Sequence, residues 1–511
     1  MKLSELIEAA KPLSIDDGAD KNGTDPEIKS VHYRAQDVRP GGLFVAITGH
    51  AADGHDFIDT AIKKGAVAVV SQRELKSKIL NIQVADTRQA LADIAAGFYG
   101  RPSERLTVIG ITGTNGKTTT AYLVESILQQ AGYVVGVIGT INYRYAGKIF
   151  DNPITTPDSL DLQRILADML QAGVTHVVME VSSHAIDLYR IRSCWFDMAV
   201  FINLSQDHLD FHGNLESYWA SKKRLFTEYL ITGPKKDQAL AVINCNSAKG
   251  KELADNLQVA VIKAGSGPNN TVRAASTQCD LSGIAGEITA PGGKFDFKSS
   301  LVGEHNLENI LCAVGVGSAL NLSTHDLKSG IDAVAAIPGR LERIDNDTHR
   351  YVYVDYAHTP DALENVIRAL RAVTADRIIC VFGCGGDRDT EKRPLMGEIA
   401  ARLCDIAVIT SDNPRTEEPM AIIDQILEGT QKINCRRYSP TDLQSGFNEK
   451  GYVVEADRQR AIQLGISVSR SGDTVLIAGK GHETYQILGT STIAFDDREE
   501  ARKALNKLKK P

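Results

Sequence analysis

The chain has 511 residues, of which 43% are apolar and 24% charged, a normal balance for a globular protein. This length exceeds one ordinary core and predicts about three domains. The formal net charge of -7 argues against general binding of DNA or RNA, and with no signal peptide and no long apolar run we expect a cytoplasmic protein that makes no contact with membranes.

The first hundred residues mix short strands and helices around Gly-rich turns. We predict a strand at 43–47, a helix at 59–64 and a second strand at 66–70. Gly and Pro punctuate the segment 99–103, which is typical of a linker. We therefore predict a first domain at residues 1–103.

A second pattern begins at Leu106, where an apolar, β-branched run leads into a Gly-rich turn and a helix from Lys117 to about Ala131. Strands at 134–138 and 175–181 follow, with a helix starting near Asp158 between them. This alternation predicts a parallel sheet covered on both faces. The module extends to residue 337, with a polar, β-rich excursion near 265–302, so we predict a central domain at 104–337.

The alternation restarts after Pro338-Gly339. Strands are predicted at 351–356, 377–382, 406–410 and 474–478, and helices at 360–373, at 392–404 and from 419 onward. This series predicts a smaller, open doubly wound domain at 338–511. The predicted fold class is therefore α/β with three domains, in which a doubly wound parallel sheet with a phosphate loop is central and a Rossmann-like domain is C-terminal.

A phosphate loop joins the first central strand to its helix. Glycines let backbone N–H groups turn toward phosphate oxygens, a lysine can reach the β- and γ-phosphates, and a threonine hydroxyl can bind Mg²⁺. Ile111 stands where the strict motif has its first glycine. We predict ATP binding by Gly113, Thr114, Asn115, Gly116, Lys117, Thr118 and Thr119.

The stretch from Gly110 to Thr119 resembles the ATP-binding signature of the Mur ligase family, which includes folylpolyglutamate synthases. Within that family the chain most resembles the branch that adds the third amino acid to UDP-N-acetylmuramoyl-L-alanyl-D-glutamate. The resemblance implies a nucleotide-sugar-binding domain, a central ATPase and a C-terminal amino-acid-binding domain. Five further blocks match in order: Glu180-Val-Ser-Ser-His184, Asn203-Leu-Ser-Gln-Asp-His208, His305-Asn-Leu-Glu-Asn309, Pro338-Gly-Arg-Leu-Glu342 and Asp355-Tyr-Ala-His-Thr-Pro360.

The resemblance implies that Glu180 and His208 hold Mg²⁺ together with the Thr118 hydroxyl. Magnesium prefers oxygen, so a histidine ligand is atypical. Lys222 aligns with a lysine that these ligases carry as a carbamate (N6-carboxylysine), and Lys223 is the alternative. A carbamate could bind a second Mg²⁺, so two metal sites are expected.

The implied reaction begins when the D-glutamate γ-carboxylate attacks the γ-phosphate of ATP while Lys117 and magnesium screen the charges. An amine of the incoming amino acid then displaces phosphate from the acyl phosphate. The resemblance places Asn306 near adenine, Arg340 near the phosphates and Asp355 near the ribose, and Lys392 is a further phosphate candidate. Since these residues belong to two domains, we expect domain closure during catalysis.

The segment Asp412-Asn413-Pro-Arg415 follows a predicted buried strand. Family members that use meso-diaminopimelate carry this sequence, whereas lysine-adding members usually lack the arginine. A guanidinium can grip the extra carboxylate of diaminopimelate bidentately and repels the ammonium of lysine. The resemblance adds to this pocket Arg388, Gly479 and Glu483.

The resemblance assigns the UDP-muramoyl dipeptide to His50 in a uracil loop and to four residues near the diphosphate and peptide. Two positions depart from the pattern: Tyr33 replaces an expected serine contact to the uridine, and Leu188 stands where a glutamine is expected. Backbone groups and the remaining side chains can still hold a diphosphate. The four residues are Thr155, Thr156, Ser182 and Arg190.

Several alternatives remain open. The same ligase could use L-lysine, whereas a relative adding D-alanyl-D-alanine should lack Asp-Asn-Pro-Arg, and a folylpolyglutamate synthase should lack the first domain. An ATP-hydrolysing switch without ligase activity would leave Arg388, Arg415 and Glu483 unexplained. We expect a monomer acting on ATP, UDP-N-acetylmuramoyl-L-alanyl-D-glutamate and meso-diaminopimelate, with eight reduced cysteines.

Overall fold

The computed structural model describes residues 1–16, 25–49, 52–75, 79–207 and 209–508, so His50 and His208 lie outside the described residues. The chain forms two compact units. One comprises Met1–Leu204, His208–Asn270 and Gly315–Leu322, and the other comprises Ser205–Asp207, Thr271–Val314 and Ser323–Pro511. Within the described ranges, no helix has the length and apolar character needed to cross a bilayer.

The first unit begins with a five-stranded sheet whose central strands are buried apolar runs. Its strands are β1 (Ser14–Asp16), β2 (Ser30–His32), β3 (Gly42–Val45), β4 (Ala66–Ser71) and β5 (Leu80–Gln83). The order is β1-β5-β4-β3-β2, and β1 pairs antiparallel while the other pairs are parallel. The accompanying helices are α1 (Leu3–Ile7), α2 (Ile58–Lys63) and α3 (Thr87–Phe98).

The same unit contains an eight-stranded sheet: β6 (Thr107–Thr112), β7 (Val135–Ile138), β8 (Tyr143–Tyr145), β9 (Lys148–Phe150), β10 (His176–Glu180), β11 (Met198–Phe201), β12 (Leu240–Asn244) and β13 (Ala260–Ala264). The order is β13-β12-β11-β6-β10-β7-β8-β9, with β8 and β9 antiparallel at one edge. Its helices are α4 (Lys117–Gln130), α5 (Ser159–Gln171), α6 (Ser183–Asp187), α7 (Leu209–His212), α8 (Leu215–Arg224) and α9 (Ala248–Asn256). Because β11, β6, β10 and β7 are parallel neighbours, their carboxyl ends meet at one edge.

Polar contacts join the helices and connecting segments that surround the two sheets of the first unit. Arg192 Nε donates to both carboxylate oxygens of Asp93 at 3.0 and 3.1 Å, and the Ser193 hydroxyl donates to the same carboxylate at 2.6 Å. The Tyr33 hydroxyl donates to Asp161 at 2.9 Å. The tyrosine that replaces the expected serine therefore contacts α5.

The second unit holds an antiparallel three-stranded sheet, a seven-stranded sheet and a two-stranded hairpin. The first sheet consists of β14 (Arg273–Asp280), β15 (Gly283–Ala290) and β16 (Gly293–Ser299), which is the predicted β-rich excursion. The second consists of β17 (Glu342–Arg343), β18 (Tyr351–Asp355), β19 (Ile378–Phe382), β20 (Ile406–Ile409), β21 (Arg436–Arg437), β22 (Gly451–Val454) and β23 (Thr474–Ala478). The hairpin is β24 (Tyr485–Leu488) with β25 (Ser491–Ala494).

The seven-stranded sheet has the order β17-β18-β23-β19-β20-β22-β21, and all its pairs except β17 with β18 are parallel. Separate buried apolar clusters cover its two faces, as a doubly wound domain requires. The unit also contains the first part of α10 (Glu304–Ala319), α11 (Thr324–Asp332), α12 (Pro360–Val373), α13 (Lys392–Leu403), α14 (Pro419–Thr430), α15 (Pro440–Gln444), α16 (Arg458–Ser467) and α17 (Asp497–Lys507).

Candidate active site

The phosphate loop lies between β6 and α4, where the sequence predicts it. Gly116 adopts a left-handed conformation with φ of 86°, which favours glycine, immediately before the helix. Lys117 Nζ donates to the carbonyl oxygens of Gly113 and Thr114 at 2.9 Å each. The lysine therefore lies across the loop at a helix N-terminus, the position in which it can meet an anionic phosphate.

Asn203, at the end of the neighbouring strand β11, fixes the backbone of this loop. Its side-chain oxygen accepts from the backbone N–H groups of Thr114 at 3.1 Å and Asn115 at 2.9 Å. Asn203 belongs to one of the matching blocks, but no role in the site was predicted for it. A polar residue directly after a buried parallel strand was the available signal.

Glu180 ends β10 and is 1% exposed, yet polar partners surround its carboxylate. Oε2 accepts from the hydroxyls of Thr118 at 3.1 Å and Thr140 at 2.9 Å, and Oε1 accepts from the Thr140 backbone N–H at 2.9 Å. The Thr140 hydroxyl lies 3.1 Å from that of Thr155. The structure thus brings together the predicted residues Thr118, Glu180 and Thr155 and adds Thr140, which follows β7 and was not predicted.

Lys222, on α8, is 1% exposed and reaches the phosphate loop. Its Nζ donates to the Gly113 carbonyl at 2.9 Å and lies 4.2 Å from the centroid of the Tyr218 ring. Lys117 and Lys222 therefore share one acceptor. The alternative residue, Lys223, is half-buried. A π-helical segment, Leu225–Tyr229, follows α8 directly.

The residues assigned to the muramoyl dipeptide form a second group in the first unit. The Thr156 hydroxyl donates to the Glu180 carbonyl at 2.8 Å and accepts from the Ser182 backbone N–H at 3.2 Å. Arg190 Nη1 donates to the Thr156 carbonyl at 3.1 Å. Leu188, the residue found where a glutamine was expected, forms the C-cap of α6. Thr156, Ser182 and Arg190 therefore adjoin the Glu180 backbone.

In the second unit, the residues assigned to the amino acid follow the carboxyl ends of parallel strands. Asn413 Nδ2 donates to Glu483 Oε2 at 2.9 Å. Gly479 has φ of 117°, and an added Cβ there would lie 2.6 Å from Asp412 Oδ2. Lys480 was not predicted to belong to the site, but its ammonium bonds to both Asn413 and Glu483. The structure therefore groups four predicted residues: Asp412, Asn413, Gly479 and Glu483.

The two predicted arginines flank one glycine. Arg415 Nη1 donates to the Gly386 carbonyl at 2.7 Å. A Cβ added at Gly385 would lie 3.0 Å from Arg415 Nη1 and 4.0 Å from Arg388 Cγ. Arg415 also has a left-handed backbone, with φ of 52°, and its backbone N–H and carbonyl both bond to the β24–β25 hairpin.

The predicted nucleotide residues of this unit lie in different surroundings. Asp355 accepts from the backbone N–H groups of Leu341 at 2.7 Å and Ala357 at 2.8 Å, and burial raises the pKa of its carboxyl against the opposing Arg340 charge. Lys392 Nζ donates to the His358 carbonyl at 3.0 Å. Asn306, by contrast, bonds locally, to Val302 and Asn309.

Arg340 and Lys392 lie near two histidines at this edge of the second unit. Burial and then Arg340 lower the pKa of His482 to about 4. Burial and then Lys392 lower the pKa of His358. A group of neutral histidines among fixed cations provides a favourable environment for an anion such as a phosphate.

Among the described residues, no three His, Cys, Asp or Glu side chains gather into a metal-binding cluster. The predicted ligand His208 lies outside the described residues, as does His50, the predicted uracil contact. The oxygen donors of Thr118 and Glu180 do meet, and such oxygens are the donors that Mg²⁺ prefers.

Three family descriptions match the chain in succession. "Mur ligase family, catalytic domain" matches residues 27–99, "Mur ligase middle domain" matches 111–317, and "Mur ligase, glutamate ligase domain" matches 339–481. Together they describe three domains of the α/β class, which confirms the predicted fold class.

Curated proteins match over almost the full length. A UDP-N-acetylmuramoyl-L-alanyl-D-glutamate--2,6-diaminopimelate ligase of Geobacter metallireducens is 48% identical and covers 94% of this chain and 95% of its own. The ligase of the same description from Geobacter sulfurreducens is 46% identical, with 98% of each chain covered.

Solved structures agree with these matches. A structure of a UDP-N-acetylmuramoyl-L-alanyl-D-glutamate--2,6-diaminopimelate ligase has a TM-score of 0.68 at 30% identity, with 99% of each chain covered. The MurF ligase of Thermotoga maritima, solved with ADP, shares the fold with a TM-score of 0.61 at 20% identity, with 94% of this chain and 97% of that one covered. The chain belongs to the Mur ligase family and is an ATP-dependent amide-bond ligase.

Proposed function

We propose that this ligase joins meso-diaminopimelate to the D-glutamate γ-carboxylate of UDP-N-acetylmuramoyl-L-alanyl-D-glutamate, through an acyl phosphate, in peptidoglycan precursor synthesis. The relatives with the matching description support this choice of substrates. The reaction uses small molecules that carry several negative charges, so the site must neutralise charge before the reactants can meet.

The observation that carries the choice of amino acid is the pairing of opposite charges at the carboxyl edge of the second unit. Glu483 offers a carboxylate for an ammonium, whereas Arg415 offers a guanidinium nitrogen beside Gly385, and Arg388 lies next to the same glycine. Diaminopimelate carries an ammonium and a carboxylate at its remote end, whereas lysine carries only the ammonium. A guanidinium binds a carboxylate bidentately, which favours diaminopimelate.

The first chemical step brings two anions together. We assign to Lys117 the binding of the β- and γ-phosphates, since it already lies across the loop and can exchange carbonyl partners for phosphate oxygens. Attack by the γ-carboxylate gives ADP and an acyl phosphate. The amine of the amino acid then attacks the acyl carbon, and phosphate leaves.

The residues around Glu180 fit a magnesium ion, because a buried carboxylate and the Thr118 and Thr140 hydroxyls supply oxygen donors. We propose that Thr118, Glu180 and His208 hold it. Bound magnesium would supply Lewis-acid screening of the transferred phosphoryl group. The chain's own part is to hold Glu180 rigidly by three hydrogen bonds.

We propose that Lys222 acts as a carbamate and contributes to a second magnesium site. Lys117 and Lys222 both donate to the Gly113 carbonyl, which places two like charges side by side and favours conversion of one of them to an anion. The Lys222 ammonium loses one proton, and reaction of the resulting amine with CO₂ releases a second proton and gives a carbamate, so that an anion replaces one cation.

We further propose domain bounds of 1–103, 104–337 and 338–511, a monomeric enzyme and a cytoplasmic location. The three family matches, at 27–99, 111–317 and 339–481, fall inside these bounds and support them. Use of ATP supports the location, since ATP is a cytoplasmic substrate. We assign to Asn306, Arg340, Asp355 and Lys392 contacts with the nucleotide.

The test is an assay of purified protein with ATP and UDP-N-acetylmuramoyl-L-alanyl-D-glutamate, comparing meso-diaminopimelate with L-lysine. We expect phosphate release that requires both the dipeptide and diaminopimelate, and a product larger by one diaminopimelate residue. Product with lysine alone would reverse the specificity assignment. Phosphate release that needs neither substrate would support the alternative of an ATP-hydrolysing switch.

A further inference from the structure

Lys480 is fully buried and lies inside the group of residues proposed to bind the amino acid, although the site assignments above give it no role. It stands between Gly479 and Gly481, whose φ values of 117° and 54° both lie in the left-handed region. These two glycines let the backbone turn sharply on either side of the lysine. The turn directs the side chain inward, toward the loop that follows β20.

Three polar groups surround the Lys480 ammonium. Nζ donates to Glu483 Oε2 at 2.9 Å and to Asn413 Oδ1 at 3.1 Å, and it lies 3.8 Å from Asp412 Oδ1. Asn413 Nδ2 closes the ring by donating to the same Glu483 oxygen, and Asn413 Oδ1 also accepts from the Ile487 backbone N–H. The orientations of Asn413 and Glu483 are therefore fixed by mutual bonds.

This ring leaves one face of Glu483 available. Both of its side-chain bonds to described residues go to Oε2, whereas its side chain is 17% exposed. Oε1 is therefore the oxygen that can accept an incoming ammonium. Since a carboxylate held by two donors cannot rotate without breaking bonds to charged or polar groups, Oε1 keeps one direction.

The charged neighbours of Lys480 support this arrangement. Its ammonium lies between the carboxylates of Asp412 and Glu483 and bonds to the latter. The guanidinium of Arg458 is nearby and donates to a backbone carbonyl. It is already paired with Asp497, and both side chains are fully buried. Lys480, and not Arg458, is therefore the cation that bonds to Glu483.

We propose that Lys480 is a positioning residue for amino-acid selection: it aims Glu483 at the remote ammonium of the substrate. This inference rests on the proposed function. It predicts that Lys480 acts on discrimination between substrates with and without that ammonium, and not on the use of ATP.

The test compares kcat/KM for meso-diaminopimelate with that for L-2-aminopimelate, which keeps the reactive amine and remote carboxylate but lacks the remote ammonium. In Lys480→Met we expect the preference for diaminopimelate to fall roughly 10- to 100-fold, as expected when a hydrogen bond to a charged group is lost. The KM for ATP should stay within about twofold of the value for the unmodified enzyme, which is the variation that a neutral surface substitution produces. Lys503→Met, at an exposed lysine paired with Glu500, is the matched control.

A purely structural role for Lys480 would lower kcat/KM for both amino acids alike, so an unchanged ratio overturns the proposal. If Lys480→Met does not fold, Lys480→Gln is used: its amide keeps a donor but lacks the charge, so the preference for diaminopimelate should fall by less than in Lys480→Met but should still fall. In a Glu483→Gln background, removal of Lys480 should have no further effect on the ratio. Failure of the proposed function is distinguishable, because the unmodified enzyme would then add no diaminopimelate at all.

Discussion

Replacing Gly139 with alanine would test whether catalysis depends on the position of the Glu180 carboxylate. Gly139 follows β7, and a Cβ built on its backbone would lie 2.3 Å from Glu180 Oε1 and 3.1 Å from Cδ. The φ of Gly139 does not lie in the left-handed region, so alanine introduces no backbone strain at this position. The three atoms nearest to the added Cβ all belong to the Glu180 side chain, so the substitution acts first on that carboxylate.

The size of the effect follows from the contacts. Optimal carbon–oxygen separations are near 3.5 Å, so Oε1 must retreat by about 1 Å. Three hydrogen bonds, from Thr118 and twice from Thr140, hold the carboxylate where it is. A shift of that size weakens bonds worth roughly 1.5–3 kcal/mol each, and a misplacement of about 1 Å in a catalytic group costs on the order of 100-fold in rate.

The assay is ATP-dependent phosphate release with both substrates, measured across magnesium concentrations, together with thermal unfolding. We expect kcat to fall about 100-fold and the magnesium requirement to rise. Gly97→Ala is the matched control, because its Cβ would meet only Leu6 Cδ2 at 3.7 Å and alanine suits the interior of α3. A Gly139→Ala enzyme with unchanged kcat and magnesium dependence would refute the reasoning.

Three further substitutions test other parts of the site. Arg415→Ala should abolish diaminopimelate addition while ATP binding, measured by calorimetry, is retained; unchanged turnover would contradict its assigned role. Lys222→Arg, which keeps a cation but cannot form a carbamate, should lose ligase activity, whereas Lys223→Arg should keep it; the opposite result would move the carbamate to Lys223. The side chain of Arg393 and the backbone N–H of Asp387 lower the pKa of Glu417 from 4.5 to about 2, so the stability that this carboxylate adds is present above about pH 4.5 and is lost as pH falls toward 2. At pH 7, Glu417→Gln should therefore unfold at a lower urea concentration than the unmodified protein. This difference in the urea midpoint should narrow below about pH 4.5. A midpoint difference that stays constant with pH would count against the ion pair.

The sequence predicts the elements whose pattern is local. The helix predicted at 360–373 is α12, Pro360–Val373, because Thr359 caps it and an apolar stripe faces the sheet. The strands that carry the site were predicted within one or two residues, since parallel strands buried on both faces read as continuous apolar runs. The seven-residue phosphate loop follows β6 as predicted.

Contacts that depend on neighbours in space escaped prediction. Thr140 contacts Glu180 because β7 lies beside β10, an order that the chain does not state. Lys480 reads as an ordinary lysine until the fold buries it among Asn413 and Glu483. Strand β24 buries its glutamine and exposes a tyrosine and a leucine, and β25 is wholly exposed, so no regular burial of apolar residues identified them. The hairpin nevertheless holds the backbone of Arg415.

Strand-end positions connect these results. In both units, the chemistry-bearing side chains follow the carboxyl ends of adjacent parallel strands, where backbone ends leave room for polar groups and the strands behind them are rigid. Predicted residues such as Glu180 supply the charged groups. Unpredicted neighbours such as Thr140 and Lys480 fix the orientation of carboxylates by hydrogen bonding to them. A substitution that keeps the charged group but displaces it, as Gly139→Ala does to the Glu180 carboxylate, should therefore cost nearly as much activity as removing the charged group itself.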